Sequence, residues 1–215
     1  LKILHKLLLP TADKVIVNSK AMYKDLSKRG IKEHKLALVH NPIDHLNIRK
    51  VTNFSRHAGN GLRLITVGRL VKQKGLDRLI PILKNLKNVH LTILGEGSEY
   101  DNLINLVKSL DLESKVDFKG YIENPNSLIA GADYFILPSR WEGLPNAALE
   151  SLVLGTPVIS FKEVEGLVDI FPYVETNNLY LCQNEYDMEQ LLKHLPFRPD
   201  YKNLSLRENL LSKFN

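Results

Sequence analysis

The sequence predicts an α/β fold built on a doubly wound parallel sheet, and two observations carry that reading. From residue 62 to residue 195, short apolar runs alternate with helical patterns. Each run is nearly all apolar, which is the mark of strands covered on both faces rather than on one.

Residues 15–17 (Val-Ile-Val) form the first short strand, followed by a helix over about 20–28 that Gly30 stops. Residues 36–39 are a second strand, and Asn41-Pro42 a turn after it. The polar stretch 48–61, with Asn53, Ser55, Gly59, Asn60 and Gly61, reads as a linker or exposed loop. A strand at 64–67 then leads to a helix over 76–86, where Leu76, Leu79, Ile80, Leu83 and Leu86 make one apolar face. Next come a strand at 89–94 and an amphipathic helix marked by Leu103, Leu106, Val107 and Leu110. A strand at 116–118, a short helix near 125–130 and a strand at 134–137 follow. The helix at 145–154 precedes a strand at 158–161, and a last strand at 179–182 precedes the helix at 187–195.

The bulk numbers narrow the function classes. A chain of 215 residues holds one full domain and part of another, and 44% hydrophobic with 25% charged residues is the balance of an ordinary globule. The single cysteine, Cys182, excludes an internal disulfide framework, which favours a reducing, cytoplasmic setting. No apolar run approaches the roughly 20 residues that span a bilayer. The apolar and basic segment 1–9 reads as a helix end stopped by Pro10. Because the chain opens without Met and in mid-pattern, it is expected to be a fragment of a longer protein. The net charge of +5 raises nucleic acid as a partner, but the lysines are scattered, without an arginine-rich block or aromatic stacking signature. No nucleic-acid partner is expected. An anionic small ligand or an anionic membrane surface suits the charge instead.

In a doubly wound fold, ligands bind beyond the carboxyl ends of the strands. The loop after the strand at 64–67 reads Gly68-Arg-Leu-Val-Lys-Gln-Lys-Gly75 and offers Arg69 and Lys74 to an anion, a planar fork and a point charge. Two solvated cations near a turn would look the same. The loop Gly95-Glu-Gly-Ser-Glu-Tyr100 lacks the third glycine of the dinucleotide fingerprint, so it signals only close approach of backbone or ligand. In the stretch 139–150, Pro145 fits the first position of a helix, and neither Gly143 nor Leu144 can cap it through a side chain. Such an uncapped start is a ready anion site. Glu142 precedes this helix. Glu150 lies on its second turn, where a carboxylate can accept from two vicinal hydroxyls or simply face water.

Together these loops resemble the retaining glycosyltransferases of family four, which have the GT-B fold. The most specific part is Glu142-x7-Glu150 within Ser139-Arg-Trp-Glu-Gly-Leu-Pro-Asn-Ala-Ala-Leu-Glu-Ser-Leu-Val-Leu-Gly-Thr-Pro-Val-Ile-Ser160, preceded by the Gly-Arg-Leu…Lys-Gly loop. The resemblance implies that residues 62–195 are the Rossmann-like, nucleotide-sugar-binding C-terminal half. Residues 1–45 would be a remnant of the N-terminal domain and hinge, 46–61 a linker, and 196–215 a C-terminal helix. It further implies that Arg69 and Lys74 bind the diphosphate and stabilise the leaving group. Glu142 would lie near the transferred sugar, Glu150 at the ribose, and Gly143, Leu144, Pro145 and Asn146 around sugar and phosphate. Gly68 belongs to the diphosphate loop, Gly95 would sit close beside the nucleotide, and the backbone of Ile122 would read the base edge. The family's Gly-Gly…Glu pattern is replaced here by Glu163-Val-Glu-Gly-Leu-Val-Asp169, and the glycine-rich entry to the last strand by Thr176-Asn-Asn-Leu.

The expected function is therefore transfer of a sugar, with retention, from a nucleotide-sugar to a glycan or lipid-linked acceptor in cell-envelope polysaccharide synthesis. The acceptor would be held by the missing N-terminal domain, so the fragment alone is expected to be inactive. No cofactor is implied, and no metal, since the chain has no Asp-x-Asp and its seven histidines show no ligand spacing. The place expected is the cytoplasm, with peripheral contact at the inner membrane face. An epimerase or phosphorylase on the same fold, a nicotinamide dehydrogenase and a non-catalytic nucleotide-binding domain remain alternatives.

Overall fold

The computed structural model describes residues 8–44, 48, 61–174, 177–196 and 204–214. The expected linker at 46–61 lies outside these residues apart from Ile48 and Gly61, as do the segment 1–7 and Thr176.

Two units follow one another. In the first, β1 (Val15–Val17), α1 (Lys20–Lys28) and β2 (Leu36–Leu38) form a small parallel βαβ unit. Ser19 starts its helix by accepting from the Met22 N–H at 3.2 Å.

The second unit is a six-stranded parallel sheet of β3 (Leu62–Val67), β4 (Val89–Leu94), β5 (Val116–Gly120), β6 (Tyr134–Leu137), β7 (Val158–Phe161) and β8 (Leu179–Cys182). Its helices are α2 (Leu76–Leu79), α3 (Tyr100–Ser109), α4 (Asn126–Gly131), α5 (Asn146–Val153), α6 (Glu185–His194) and α7 (Leu204–Lys213). Side chains alternate across a strand, and here both faces are dry. Leu64, Leu91, Tyr134, Ile136 and Phe161 pack into one cluster with Leu79, Leu103, Val107 and Met188. Ile65, Phe135, Leu137 and Val158 pack into the other with Ile129, Leu149, Leu152 and Leu210.

The strand order β5-β4-β3-β6-β7-β8 fixes where a ligand can enter. The chain builds outward from β3 to β5, then crosses back to lay β6 on the other side of β3. The loops after β3 and β6 therefore diverge and leave a crevice between them.

Three local expectations need correction. The helix over 76–86 is α-helical only to Leu79 and continues as a 3-10 helix, Ile80–Asn85. Pro81 has no N–H to donate, and its ring crowds the carbonyl four residues back, so the tighter turn takes over. The apolar face survives, with Leu76, Leu79, Ile80, Leu83 and Leu86 each at most 4% exposed. Pro145 is the N-cap of α5 rather than its first helical residue. Between β7 and β8, where the periodicity showed no element, two 3-10 turns occur at Glu165–Asp169 and Phe171–Tyr173.

Candidate functional site

At the crevice between β3 and β6 lies an open cleft of about 370 Å³. It brings together Gly68, Arg69, Lys74, Glu142, Leu144, Pro145, Asn146 and Glu150, with Gln73 in addition. Eight of the sequence-predicted site residues thus share one cleft.

Lys74 ends the 3-10 turn Lys72–Lys74, and Gly75 follows in the left-handed region at φ 67°. A Cβ on Gly75 would lie 2.1 Å from the Pro138 carbonyl, so glycine lets this loop turn into α2 against the end of β6. The Lys74 stem runs over Gly68, where a Cβ would come within 3.2 Å of its Cε. Its ammonium donates to Glu142 Oε1 at 2.7 Å, and Ser139 Oγ donates to the same oxygen at 2.6 Å. The Glu142 side chain is 10% exposed and that of Lys74 24%, so the pair is partly desolvated. Glu142 thus occupies the charge expected to meet an anion. Arg69 is exposed, and its side chain makes no hydrogen bond or ion pair among the described residues, so its fork is open.

The loop carrying Glu142 is fixed to the Lys74 loop at several points. The Arg140 N–H donates to the Gln73 carbonyl at 2.8 Å, and the Arg140 side chain to the Lys72 carbonyl at 2.7 Å. Gln73 Nε2 donates to the Trp141 carbonyl at 2.8 Å. Arg140 also grips Asp77 through two 2.8 Å bonds. That fork holds the Asp77 carboxyl below the usual carboxylate range, and Asp77 raises the Arg140 guanidinium in turn. At this exposure such a pair is worth only about 0–1 kcal/mol. Its use is geometric, since it sets the spacing of the two loops.

No side chain caps α5, whose first N–H groups open beside Pro145 into the cleft. The dipole contributes on the order of 0.3–1 kcal/mol toward an anion there. While Ala148, Leu149, Leu152 and Val153 turn to the core, Glu150 faces the cleft, half-buried. Burial pushes its carboxyl above the usual range, and the nearby Asp44 charge adds to this. The folded state therefore holds this proton more tightly than the unfolded chain. Stability falls as pH rises from the usual glutamate range through the raised value. Glu150→Gln is accordingly expected to raise Tm at neutral pH and to leave it unchanged near pH 4. A lower Tm at neutral pH in a two-point melt would show that Glu150 is structurally required as a carboxylate.

Three predicted residues stand apart from the lining. Gly95 meets the Gly68 backbone, where a Cβ would lie 2.0 Å from the carbonyl oxygen, so the close approach there is between two loops. Ile122 is half-buried and packs its side chain against the second apolar cluster. Gly143 lies behind the cleft, where a Cβ would sit 2.9 Å from Asn18 Oδ1 and 3.1 Å from Met22 Sδ. Sequence reasoning gave no role to Ser139, Gln73 or the Arg140–Asp77 fork. Only Ser139 had a signal, as the residue leaving an apolar strand three positions before Glu142. Among the described residues no cluster of His, Cys, Asp and Glu could hold a metal ion, and no helix is long and apolar enough to cross a membrane.

Comparison with known proteins places this geometry in a family context. The model of the family described as glycosyl transferases group 1 matches residues 47–196. The N-acetylgalactosamine-N,N'-diacetylbacillosaminyl-diphospho-undecaprenol 4-alpha-N-acetylgalactosaminyltransferase of Campylobacter jejuni is 35% identical over 208 residues, 94% of this chain and 57% of the relative. The O-antigen biosynthesis glycosyltransferase WclY of Escherichia coli is 32% identical over 155 residues, 64% of this chain and 43% of the relative. The chain thus spans about half the length of the curated relatives it matches. Among solved structures, a mutant of S. aureus TarM in complex with Fondaparinux, alpha-GlcNAc-glycerol and UDP superposes with a TM-score of 0.79 at 24% identity, over 96% of this chain and 42% of that one. HepE of Anabaena in complex with UDP and glucose gives 0.76 at 21% identity, over 100% and 62%. At those identities the likeness establishes the fold.

Proposed function

Since the chain belongs to the glycosyl transferases group 1 family and shares the GT-B fold of its structural neighbours, we propose that it forms the donor-binding half of a glycosyltransferase acting in cell-envelope polysaccharide synthesis. The donor is a nucleotide-sugar, and the sugar is transferred with retention to a glycan or lipid-linked acceptor. One observation carries this reading: Arg69, Lys74 and the uncapped start of α5 converge on one cleft, where negative charge builds as a diphosphate leaves. The UDP held by TarM and HepE, and the diphospho-undecaprenol in the name of the C. jejuni relative, support donor and acceptor class.

In this mechanism Arg69 and Lys74 take the diphosphate oxygens and α5 adds its N–H groups. Glu142, held by Ser139, faces the sugar. No metal takes part in the proposal, because two cations and a helix start already oppose the diphosphate. The test is a thermal-shift panel of nucleosides, nucleoside diphosphates and nucleotide-sugars, run with and without EDTA. Stabilisation by the diphosphates and not the nucleosides, unchanged by EDTA, is expected. Stabilisation by nucleosides alone would overturn the phosphate assignment.

Glu150 is assigned to the ribose, since it stands on the second turn of the helix whose first turn meets phosphate. Glu150→Gln should weaken ribonucleotides and leave 2′-deoxy forms nearly unchanged. Calorimetry that finds equal losses for both would remove the ribose role.

We place the protein on the cytoplasmic face of a membrane. Residues 1–44 hold nine Lys or Arg against four Asp or Glu, while the remaining residues carry 20 of each sign. The surplus of +5 is thus confined to residues 1–44 of the sequence, and Lys20, Lys24 and Lys28 are exposed along α1. Each basic residue near an anionic bilayer contributes about 1 kcal/mol, screened within a Debye length. Sedimentation with anionic vesicles, lost on adding salt and absent with neutral vesicles, is expected. Equal sedimentation with both vesicle types would reject the charge-led contact.

A further inference from the structure

We propose that Asp169 is a positioning residue that clasps the β1–α1 unit to the donor cleft, so that occupancy of the cleft and docking of that unit are coupled. The proposal rests on the cleft being the nucleotide site. The Asp169 side chain is fully buried, yet no partner from its own sheet domain is needed to explain it. Its Oδ2 accepts the backbone N–H of Lys20 at 2.7 Å. Its Oδ1 lies 3.4 Å from His40 Nε2 and 3.8 Å from Lys20 Nζ. These donors come from the start of α1 and from the segment leaving β2, the two ends of the first unit that face the sheet domain.

The carboxylate suits that place physically. Ser19 satisfies the Met22 N–H, and the N–H of Lys20, at the first helical position, would otherwise be open. A negative group at a helix start is favoured by the dipole, and burial keeps that interaction from being screened. A buried charge without such partners would be strongly unfavourable, so the unit and the carboxylate hold each other.

The other end of the same short turn touches the donor loop. A Cβ on Gly166 would lie 1.6 Å from the Gly143 carbonyl oxygen and 3.0 Å from that of Glu142. Gly143 in turn is close to Asn18 and Met22 at the β1–α1 corner. The loop after Glu142 is therefore wedged between Gly166 and the first unit, with Asp169 fastening the far side. A shift of that loop on binding a diphosphate cannot occur without load on the turn Glu165–Asp169 and, through Asp169, on α1. Coupling between two sites is reciprocal and typically about 5- to 150-fold.

Hydrogen–deuterium exchange tests this, with UDP as probe and calorimetry to register its binding. In the wild-type chain UDP should slow exchange in the first turn of α1, residues 20–23, about five-fold or more. In Asp169→Ala and Asp169→Asn, UDP should still protect the loop 142–149 but no longer α1, while Asp169→Glu retains part of the α1 response. Exchange in β3, β4 and β6 at wild-type rates shows that the variants are folded. Protection of α1 that persists in Asp169→Ala would overturn the coupling, as would its absence in wild type when calorimetry registers UDP. If UDP does not bind at all, the donor-site reading fails, and the ligand-free arm decides the clasp. Asp169→Ala should then speed exchange in α1 alone, and unchanged α1 exchange would overturn the clasp as well.

Discussion

Replacing Lys74 by Ala should weaken a nucleoside diphosphate by roughly 10- to 150-fold, the loss of one charge-assisted bond worth about 1.5–3 kcal/mol, and leave the bare nucleoside unaffected. The structure adds a second expectation of opposite sign. The ammonium is already engaged by Glu142 at 2.7 Å, so an incoming phosphate has to share or take it. Glu142→Gln removes the competing charge and keeps the shape, and should tighten the bare diphosphate. The same change should weaken the nucleotide-sugar relative to the diphosphate, because the carboxylate assigned to the sugar is gone. Lys74→Ala would also leave the Glu142 carboxylate, 10% exposed, with Ser139 as its remaining side-chain donor among the described residues, and a lower Tm should accompany the affinity loss. Isothermal titration of both ligands against both variants separates the effects. Diphosphate affinity that falls in Glu142→Gln would mean that Glu142 assists phosphate binding rather than competing with it.

A larger effect is expected on turnover. Among the described residues, every side of the cleft is lined from β3 through α5, residues 67–150, and none of the lining comes from the first unit. In the proposed two-domain mechanism, the acceptor hydroxyl is held at attacking distance by residues outside this lining. Positioning of that kind can supply roughly 7–11 kcal/mol of a barrier, so these 215 residues should bind donor product without measurable transfer. A radiolabelled transfer assay compares this chain with one extended at its N-terminus to the length of its relatives. Comparable rates in both would place the acceptor site within these residues and end the two-domain account of the mechanism.

The sheet was legible because its strands are dry on both faces: a run such as Tyr-Phe-Ile-Leu at 134–137, repeated between helical patterns, fits strands of a parallel sheet covered on both sides. Position along the chain then placed the loops of Arg69 and Glu142 at strand ends. The helix after β3 was misjudged in type since apolar spacing of three and four residues fits an α-helix and a 3-10 helix alike, and Pro81 decides between them. The turn holding Asp169 left no trace, because five residues in a 3-10 turn show no period to read.

From the amino-acid order alone came the fold class, the strand-end loops and the residue types able to meet a diphosphate, all of which depend on local pattern and chemical kind. That Lys74 is paired with Glu142, that the Arg69 side chain has no partner among the described residues, and that Glu150 and Asp44 share a region were decided only in the folded molecule. Lys74 and Glu142 are 68 residues apart, and Asp169 and the Lys20 N–H it accepts 149. Charge pairing depends on distance and burial, and at such separations both are fixed by how β3, β6 and the first unit pack together, a property that no window of sequence contains.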